Sequence, residues 1–173
     1  MPHDLATTAN LLGALTVALS DELVEGIERG SRLGESAADA LLSVGTRPGT
    51  GIGDLGRVIG KEQSTAVRIV DRLEEAGLVT RGVASEDARR VELRLTAKGR
   101  EEHRRILESR QEVLEGALDG LDQDDRLKLH ALLDRLLTSM ASTRERARNI
   151  CRLCDHRVCR GDACPVGRRF VEV

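Results

Sequence analysis

The chain has 173 residues with 27 basic and 29 acidic side chains, and its formal net charge of -2 does not by itself indicate a nucleic-acid partner. This length suits one domain, or one domain with added helices, and the core must be aliphatic because Phe170 is the only aromatic residue. No segment is long and apolar enough to predict a membrane span, and the first residues lack the basic-then-apolar pattern of a secretory signal, so we expect a cytoplasmic protein.

The first third of the chain is acidic, and its apolar residues have helical spacing. Residues 1–45 contain two arginines and seven acidic side chains. Leucine and isoleucine recur there at steps of three and four residues, which predicts a long helix with one apolar stripe. The stripe consists of Leu12, Leu15, Leu19, Leu23 and Ile27. Gly30 and Gly34 are expected to end this helix, and a short helix over residues 35–44 and a Pro- and Gly-rich loop follow it.

Residues 52–77 have the pattern of two helices joined by a tight turn. Ile52, Leu55 and Ile59 are spaced as on one face of a short helix. A longer helix follows the turn, and Gly77 is expected to cap its C-terminal end. The buried stripe of the longer helix is predicted to be Ala66, Ile69, Val70 and Leu73. A short helix, a turn and a longer helix together predict a helix-turn-helix.

Two short segments with alternating apolar and polar residues come next and predict a β-hairpin. They are residues 78–83 and 91–95, joined by a polar and basic loop, and a hairpin directly after a helix-turn-helix forms a winged helix. Thr96 and Asp122 are plausible N-caps. The helices that they begin are expected over Ala97 to about Leu118 and Asp122 to about Arg148. The predicted fold class is therefore mainly α, an α+β winged helix-turn-helix with long terminal helices and a two-stranded wing.

Residues 52–99 resemble the DNA-binding lobe of the MarR family of bacterial transcription regulators. Three elements carry the resemblance in the order and at the spacing typical of the family: "QSTAVRIVDRLEEAGLV", "DAR" at Asp87–Arg89 and "LTAKG" at Leu95–Gly99. The flanking helices fit as well, so the likeness extends over roughly residues 5–145. Departures from the family pattern at Gly56, Lys61 and Val67 affect details of base contact rather than the assignment.

The resemblance implies a homodimer that binds double-stranded DNA at a pseudo-palindromic operator. The family dimerises through its N- and C-terminal helices, which here are the leucine-striped segments, and large exposed apolar patches are unfavourable in a monomer. The chain then divides into an N-terminal dimerisation helix (1–34), the DNA-binding lobe (35–96), C-terminal dimerisation helices (97–148) and a four-cysteine tail (149–173).

The helix that begins at Gln63 is expected to lie in the major groove, where base edges can be distinguished. Because the N-terminal part of such a helix reaches the bases, the predicted reading edge is Gln63, Ser64, Thr65 and Arg68. Arg72 lies one turn further on and is better placed to contact phosphate. The resemblance places Asp87 and Arg89 in the wing, where the Asp holds the Arg so that it can enter the minor groove. The neighbouring Arg90 is expected to contact the DNA backbone.

All four cysteines lie in one segment near the C terminus, and the family scaffold does not need them. They follow a C-x2-C-x4-C-x4-C spacing and are Cys151, Cys154, Cys159 and Cys164. In a cytoplasmic protein such clusters are more often metal ligands or redox groups than disulfides. The segment is too short and too poor in apolar residues to fold by burial, so metal ligation is expected to organise it. The surrounding arginines are expected to lower the thiol pKa values: Arg152, Arg157, Arg160, Arg168 and Arg169.

Two inorganic centres fit this spacing. An iron–sulfur cluster is favoured, because a four-cysteine set that ends in Cys-Pro behind a winged DNA-binding domain is similar to the redox-sensing iron–sulfur members of the MerR family. The spacing also equals that of a zinc knuckle with its histidine replaced by cysteine, which predicts a tetrahedral Zn2+ site. Val158, however, stands where knuckles favour glycine. A bare thiol switch is the third possibility, and His156 is expected to be a bystander.

Together these features predict a MarR-type repressor that senses redox or nitrosative state through a C-terminal iron–sulfur cluster. The alternative is a MarR-type regulator with a structural four-cysteine zinc tail that responds to a small-molecule effector. An enzyme is not expected, because the chain has no Gly-rich phosphate loop after a strand and no discernible Ser/His/Asp or paired-carboxylate arrangement.

Overall fold

The computed structural model describes residues 4–31, 33–83, 91–159 and 164–170. Its elements follow the predicted order: α1 Leu5–Gly30, α2 Glu35–Thr46, α3 Ile52–Ile59, α4 Gln63–Glu75, β1 Val79–Val83, β2 Val91–Leu95, α5 Ala97–Ala117, α6 Gln123–Met140 and α7 Arg144–Ile150. A short 3-10 turn, Gly167–Phe170, lies near the C-terminal end. The predicted winged-helix class with a two-stranded wing is confirmed.

The main core lies between α2, α3, α4, α5 and the hairpin. The predicted stripe on α4 is buried, and Leu41 of α2, Leu55 of α3 and Leu93 of β2 meet it with no exposed surface. Full burial of an aliphatic side chain of this size stabilises the fold by about 1.5–3 kcal/mol. This packing fixes which face of α4 points outward, and hence which residues can contact a partner.

Gly56 allows α3 and α4 to approach closely. A methyl group at this position would lie 2.9 Å from the carbonyl oxygen of Lys61 and 3.3 Å from the Cβ of Ala66. The Lys61 N–H donates a hydrogen bond of 2.9 Å to the Gly56 carbonyl and closes the turn between the helices. A glycine inside a helix costs helix propensity, but here the close approach of two helices requires it.

The wing is an antiparallel hairpin with a third chain segment at its edge. Val79 lies opposite Leu95 and Arg81 opposite Leu93. The loop between α2 and α3 forms a β-bridge to the second strand. In this bridge the Gly49 N–H donates to the Leu93 carbonyl, the Leu93 N–H donates to the Thr50 carbonyl, and both bonds are 3.0 Å long. The α2–α3 loop is therefore tied directly to the base of the wing.

The last predicted helix is in fact two helices, so the prediction of one helix to about Arg148 was wrong. Asp122 caps α6 as predicted, and its side chain accepts a hydrogen bond from the Asp125 N–H. After Met140 the chain leaves the helix, and Thr143 becomes a new N-cap whose hydroxyl accepts from the Arg146 N–H. After this break α7 packs against α3, and a second, smaller core forms from Ala141, Ala147, Cys164 and Val166.

Helices α1 and α6 leave apolar side chains exposed in the single chain. The second half of α1 packs against α5 and buries Ile27, but in its first half Leu12 and Leu15 are 53% and 50% exposed. Among the described residues, α6 buries none of its own side chains. Its exposed apolar residues are Leu127, Leu132, Leu133, Leu136 and Met140. None of the helices in the described part of the chain combines the length and apolar character that crossing a membrane requires.

Candidate DNA-binding surface and cysteine cluster

The outer face of α4 presents the predicted reading edge to solvent. All five candidates on this helix are exposed: Gln63, Ser64, Thr65, Arg68 and Arg72. They lie opposite the stripe that packs into the core, because the helical period separates the two faces. Within the described residues, none of these five side chains has a hydrogen bond or ion pair. Their polar groups are therefore available to a partner.

Arg81, in contrast, is used inside the lobe. Its guanidinium pairs with Asp71 at 2.5 Å and with Glu74 at 2.9 Å, so it ties β1 to α4. Sequence reasoning did not single out this arginine, and only the packing of the hairpin on the helix distinguishes it from Arg68 and Arg72. The wing residues Asp87, Arg89 and Arg90 lie outside the described residues, and their roles remain predictions.

The four cysteine side chains interact with one another as two pairs. A hydrogen bond between the first pair is the main reason why the pKa of Cys151 is raised and that of Cys154 is lowered to about 6. Burial and a hydrogen bond to Cys164 raise the pKa of Cys159 to about 11. Charges on the other three cysteines contribute to the raised pKa of Cys151. The fold therefore brings Cys151 within electrostatic range of the other three sulfurs.

The surroundings of Cys164 suit a sulfur that carries negative charge. This cysteine is buried in the second core, and the Gly167 N–H donates a hydrogen bond of 3.0 Å to its Sγ. A methyl group at position 167 would itself lie 3.0 Å from that sulfur, so a side chain there would crowd it. A backbone N–H aimed at sulfur stabilises a thiolate. A metal or cluster on the four cysteines stays a prediction.

The described residues do not form a closed ligand cage. No group of three or more of their His, Cys, Asp and Glu side chains surrounds a point where a metal ion could sit. His156 directs its Nε2 to the Cys151 carbonyl oxygen at 3.3 Å. The thiols thus lie near one another in pairs, and a shared centre would have to draw the pairs together.

The predicted effect of the nearby arginines on the thiols was largely wrong. Three of them pair with carboxylates instead: Arg152 with Asp39, Arg157 with Asp155 and Arg168 with Asp134. The pKa of Cys154 is lowered, and the arginine that contributes to this shift is Arg110 of α5. Sequence proximity did not indicate which cation would face the sulfurs, because three of the neighbouring arginines form ion pairs with carboxylates.

The cysteine segment connects the winged-helix lobe to α6. At its start, Arg152 Nε donates to the buried Asp39 of α2 at 3.0 Å, and Leu153 packs against the main core. At its end, Thr138 of α6 donates to the Pro165 carbonyl at 3.2 Å, and Arg169 donates to the Thr138 carbonyl at 2.8 Å. Asp39 was missed by sequence reasoning, although a lone acid in the apolar run "AADALL" was a signal that could have revealed it.

The sequence over residues 33–90, from the start of the lobe to the wing, matches the MarR family. Over these residues the chain is similar to the MarR family. The matched family consists of transcription regulators, and the match covers the DNA-binding lobe of this chain. The match ends at Arg90 and does not include the cysteine segment.

Solved structures share the MarR fold of this chain. YusO from Bacillus subtilis has a TM-score of 0.66 and 21% identity over 79% of this chain and 96% of its own. FabT from Streptococcus pneumoniae in complex with DNA has a TM-score of 0.64 and 22% identity over 77% of this chain and 94% of its own. Rv2887, a MarR family protein from Mycobacterium tuberculosis in complex with p-aminosalicylic acid, has a TM-score of 0.59 and 20% identity over 74% of this chain and 96% of its own.

Proposed function

We propose that the chain is a homodimeric repressor that binds a pseudo-palindromic DNA site and carries a redox-responsive iron–sulfur centre on its four cysteines. The observation that carries the DNA-binding part is the outer face of α4, where five polar residues are exposed and have no partner in the described chain. A helix of this kind fits the major groove, and the DNA complex of FabT, a protein of the same fold, supports this role.

The residues on α4 have the chemistry that base reading needs. Gln63 can pair with adenine and Arg68 with guanine, because each side chain offers two polar atoms in the geometry of a base edge. Arg72 contacts phosphate, and Arg89 enters the minor groove from the wing. Because phosphate contacts release counterions, binding weakens steeply as salt is added.

The dimer is proposed from the apolar surface of the terminal helices. Leu132, Leu133 and Leu136 on α6 are each about half exposed, and so are Leu12 and Leu15 of α1. A second copy that covers these side chains removes them from water, which is favourable by about 25 cal/mol for each Å2 of apolar surface. Two-fold symmetry then places the two α4 helices about one turn of DNA apart.

The sensing part is proposed from the cysteine segment. The interacting thiol pairs and the Gly167 N–H aimed at Cys164 are the features of a thiolate ligand set. When bound, an iron–sulfur centre supplies reversible redox chemistry and sensitivity to oxidants and nitric oxide. The chain holds the first pair against α2 through Arg152 and the last cysteine against α6 through Thr138. Ligation therefore stabilises one arrangement of lobe and dimer helix over others, which is the condition for a switch.

A second candidate keeps the DNA-binding role and places Zn2+ on the four cysteines as a fixed brace. Regulation then comes from a small molecule bound between the dimer helices and the lobe. A cavity of about 480 Å3 between the end of α1, α5 and the end of α4 favours this alternative. The p-aminosalicylic acid complex of Rv2887 also supports it.

One purification followed by two measurements tests the proposal. Protein purified without oxygen is examined by visible spectroscopy and by iron, sulfide and zinc analysis. Its affinity for DNA selected from a random library is then measured by fluorescence anisotropy, before and after controlled oxidation. We expect a coloured iron–sulfur protein whose DNA affinity changes on oxidation. The protein should also reduce in vitro transcription from a promoter that contains the selected site. Colourless protein with one zinc per chain would favour the second candidate, and no selected DNA would overturn both.

A further inference from the structure

Two adjoining cavities flank Cys151 and share the same cations. The first, of about 200 Å3, lies against the end of α2 and the α2–α3 loop. The second, of about 350 Å3, includes Cys159 and Cys164 in its wall, so three of the four cysteines line it. Four residues line both cavities: Arg47, Arg148, Cys151 and His156.

In the described part of the chain, neither Arg47 nor Arg148 has an ion-pair partner, and Asp54, which also lines the first cavity, pairs with Arg57. Within the described residues, neither guanidinium has a hydrogen bond or ion pair, whereas Arg152, Arg157 and Arg168 nearby all pair with acids. Partial loss of solvent lowers the pKa of Arg47, and repulsion from Arg148 lowers it further. Interaction with Cys151 acts in the opposite direction and is the smallest of the three contributions. Two like charges beside a cavity lined by sulfur indicate an anion between them.

A thiolate centre has the charge that this pair would balance. Four thiolates around a divalent ion leave a net charge of about -2. Two guanidinium groups carry the two positive charges that balance it. Partners of this kind, one step beyond the ligands, orient and tune a metal site. Arg144 also lines the second cavity, but it donates to the Phe170 carbonyl at 3.1 Å and is held by the end of the chain.

Arg47 also connects this region to the wing. It directly follows α2, and the Thr50 hydroxyl and N–H both bond to its carbonyl oxygen, at 2.7 and 3.2 Å. Thr50 in turn forms the bridge to Leu93 in β2, and β2 is the strand that leads back from the predicted DNA contacts Arg89 and Arg90. A short backbone path therefore joins Arg47 to the base of the wing.

We infer that Arg47 and Arg148 neutralise the negative charge of the thiolate centre. The position of Arg47, and through it the position of the wing, then depends on whether the centre is bound. This inference rests on the proposed cysteine-bound centre. With the centre in place, both guanidiniums are neutralised and Arg47 stays beside Cys151. Without it the two arginines repel each other, Arg47 is released towards solvent, and the loop that it precedes no longer holds β2 in one position.

The first test measures metal affinity with Zn2+ as the probe, in competition with a chromophoric chelator. The variants are Arg47→Gln, Arg148→Gln and the double variant, and the matched control is Arg146→Gln, an exposed arginine on α7 outside both cavities. We expect the double variant to bind Zn2+ about 10- to 100-fold more weakly than the unmodified chain, with the control unchanged. The melting temperature of the metal-free variants should not fall, because each substitution removes repulsion between Arg47 and Arg148. An unchanged melting temperature therefore separates the loss of a counter-charge from misfolding.

The second test measures DNA affinity of the metal-loaded and metal-free forms by anisotropy. The unmodified chain should show a difference between the two forms, and Arg47→Gln should reduce this difference at least fivefold, whereas Arg146→Gln should retain it. Unchanged Zn2+ affinity in the double variant would overturn the counter-charge role even if the centre exists. If the metal-loaded and metal-free forms of Arg47→Gln differ in DNA affinity as much as those of the unmodified chain, the link to the wing is overturned. If the unmodified chain binds neither zinc nor iron, both the proposed centre and this inference fail.

Discussion

Replacing Arg152 by methionine tests how the cysteine segment is held against the winged-helix lobe. Asp39 lies in α2 with its side chain only 9% exposed, and its ion-pair partner Arg152 is 35% exposed. Removing one partner of a buried pair costs about 3–5 kcal/mol, whereas an exposed pair contributes about 0–1 kcal/mol. This pair lies between these limits, so we expect Arg152→Met to lower the free energy of unfolding by about 2 kcal/mol at pH 7.

The pH dependence of this loss has a definite sign. Burial raises the pKa of Asp39 above its usual value, and Arg152 acts against that shift. A carboxyl whose pKa is higher in the folded chain stabilises the fold at low pH, and that stability is lost as the pH rises through the folded-state pKa. Without Arg152 the pKa rises further. The deficit of Arg152→Met should therefore be largest near neutral pH and shrink as the solution is made mildly acidic.

The assay is thermal and urea unfolding of metal-free protein, followed by circular dichroism at one fixed protein concentration. For a chain of this size the Tm should fall by about 4–8 °C at pH 7. The matched control is Asp39→Asn with Arg152→Met, which removes both charges and should recover most of the loss. The reasoning would be refuted by a deficit that is the same at every pH, or by a double variant no more stable than Arg152→Met alone.

Three further outcomes are expected. Arg68→Ala should cost about 1–3 kcal/mol of binding free energy to a selected DNA site, measured by anisotropy; an equal loss in Arg146→Ala would argue against a specific contact. In metal-free protein, iodoacetamide labelling of Cys154 should be half-maximal near pH 6, whereas Cys159 should continue to gain reactivity up to about pH 11, as read by peptide mass spectrometry; parallel pH profiles would contradict the two environments. Leu133→Glu, at a position 46% exposed on α6, should give a monomer by light scattering with weakened DNA binding, and a stable dimer would place the interface elsewhere.

Features that depend on neighbouring residues could be predicted from the sequence alone. Helical periodicity located α1 to α5, and the caps at Thr96 and Asp122 are confirmed because a hydroxyl or carboxylate at that position satisfies a free backbone N–H. The same periodicity identified the outer face of α4, since four buried residues on one side leave the other side to solvent. It failed at Thr143, where a side chain that can cap competes with continuation of the helix.

The sequence by itself determined the winged helix, the exposed edge of α4 and the presence of four clustered thiols. Only the tertiary structure decided where those thiols lie and which charges face them. Asp39 and Arg152 are 113 positions apart, and Arg47, which follows α2, lies beside Cys151 in the wall of the same cavities. Local spacing carries no information about such pairs, because they form only when burial of the apolar faces has folded the tail against the lobe.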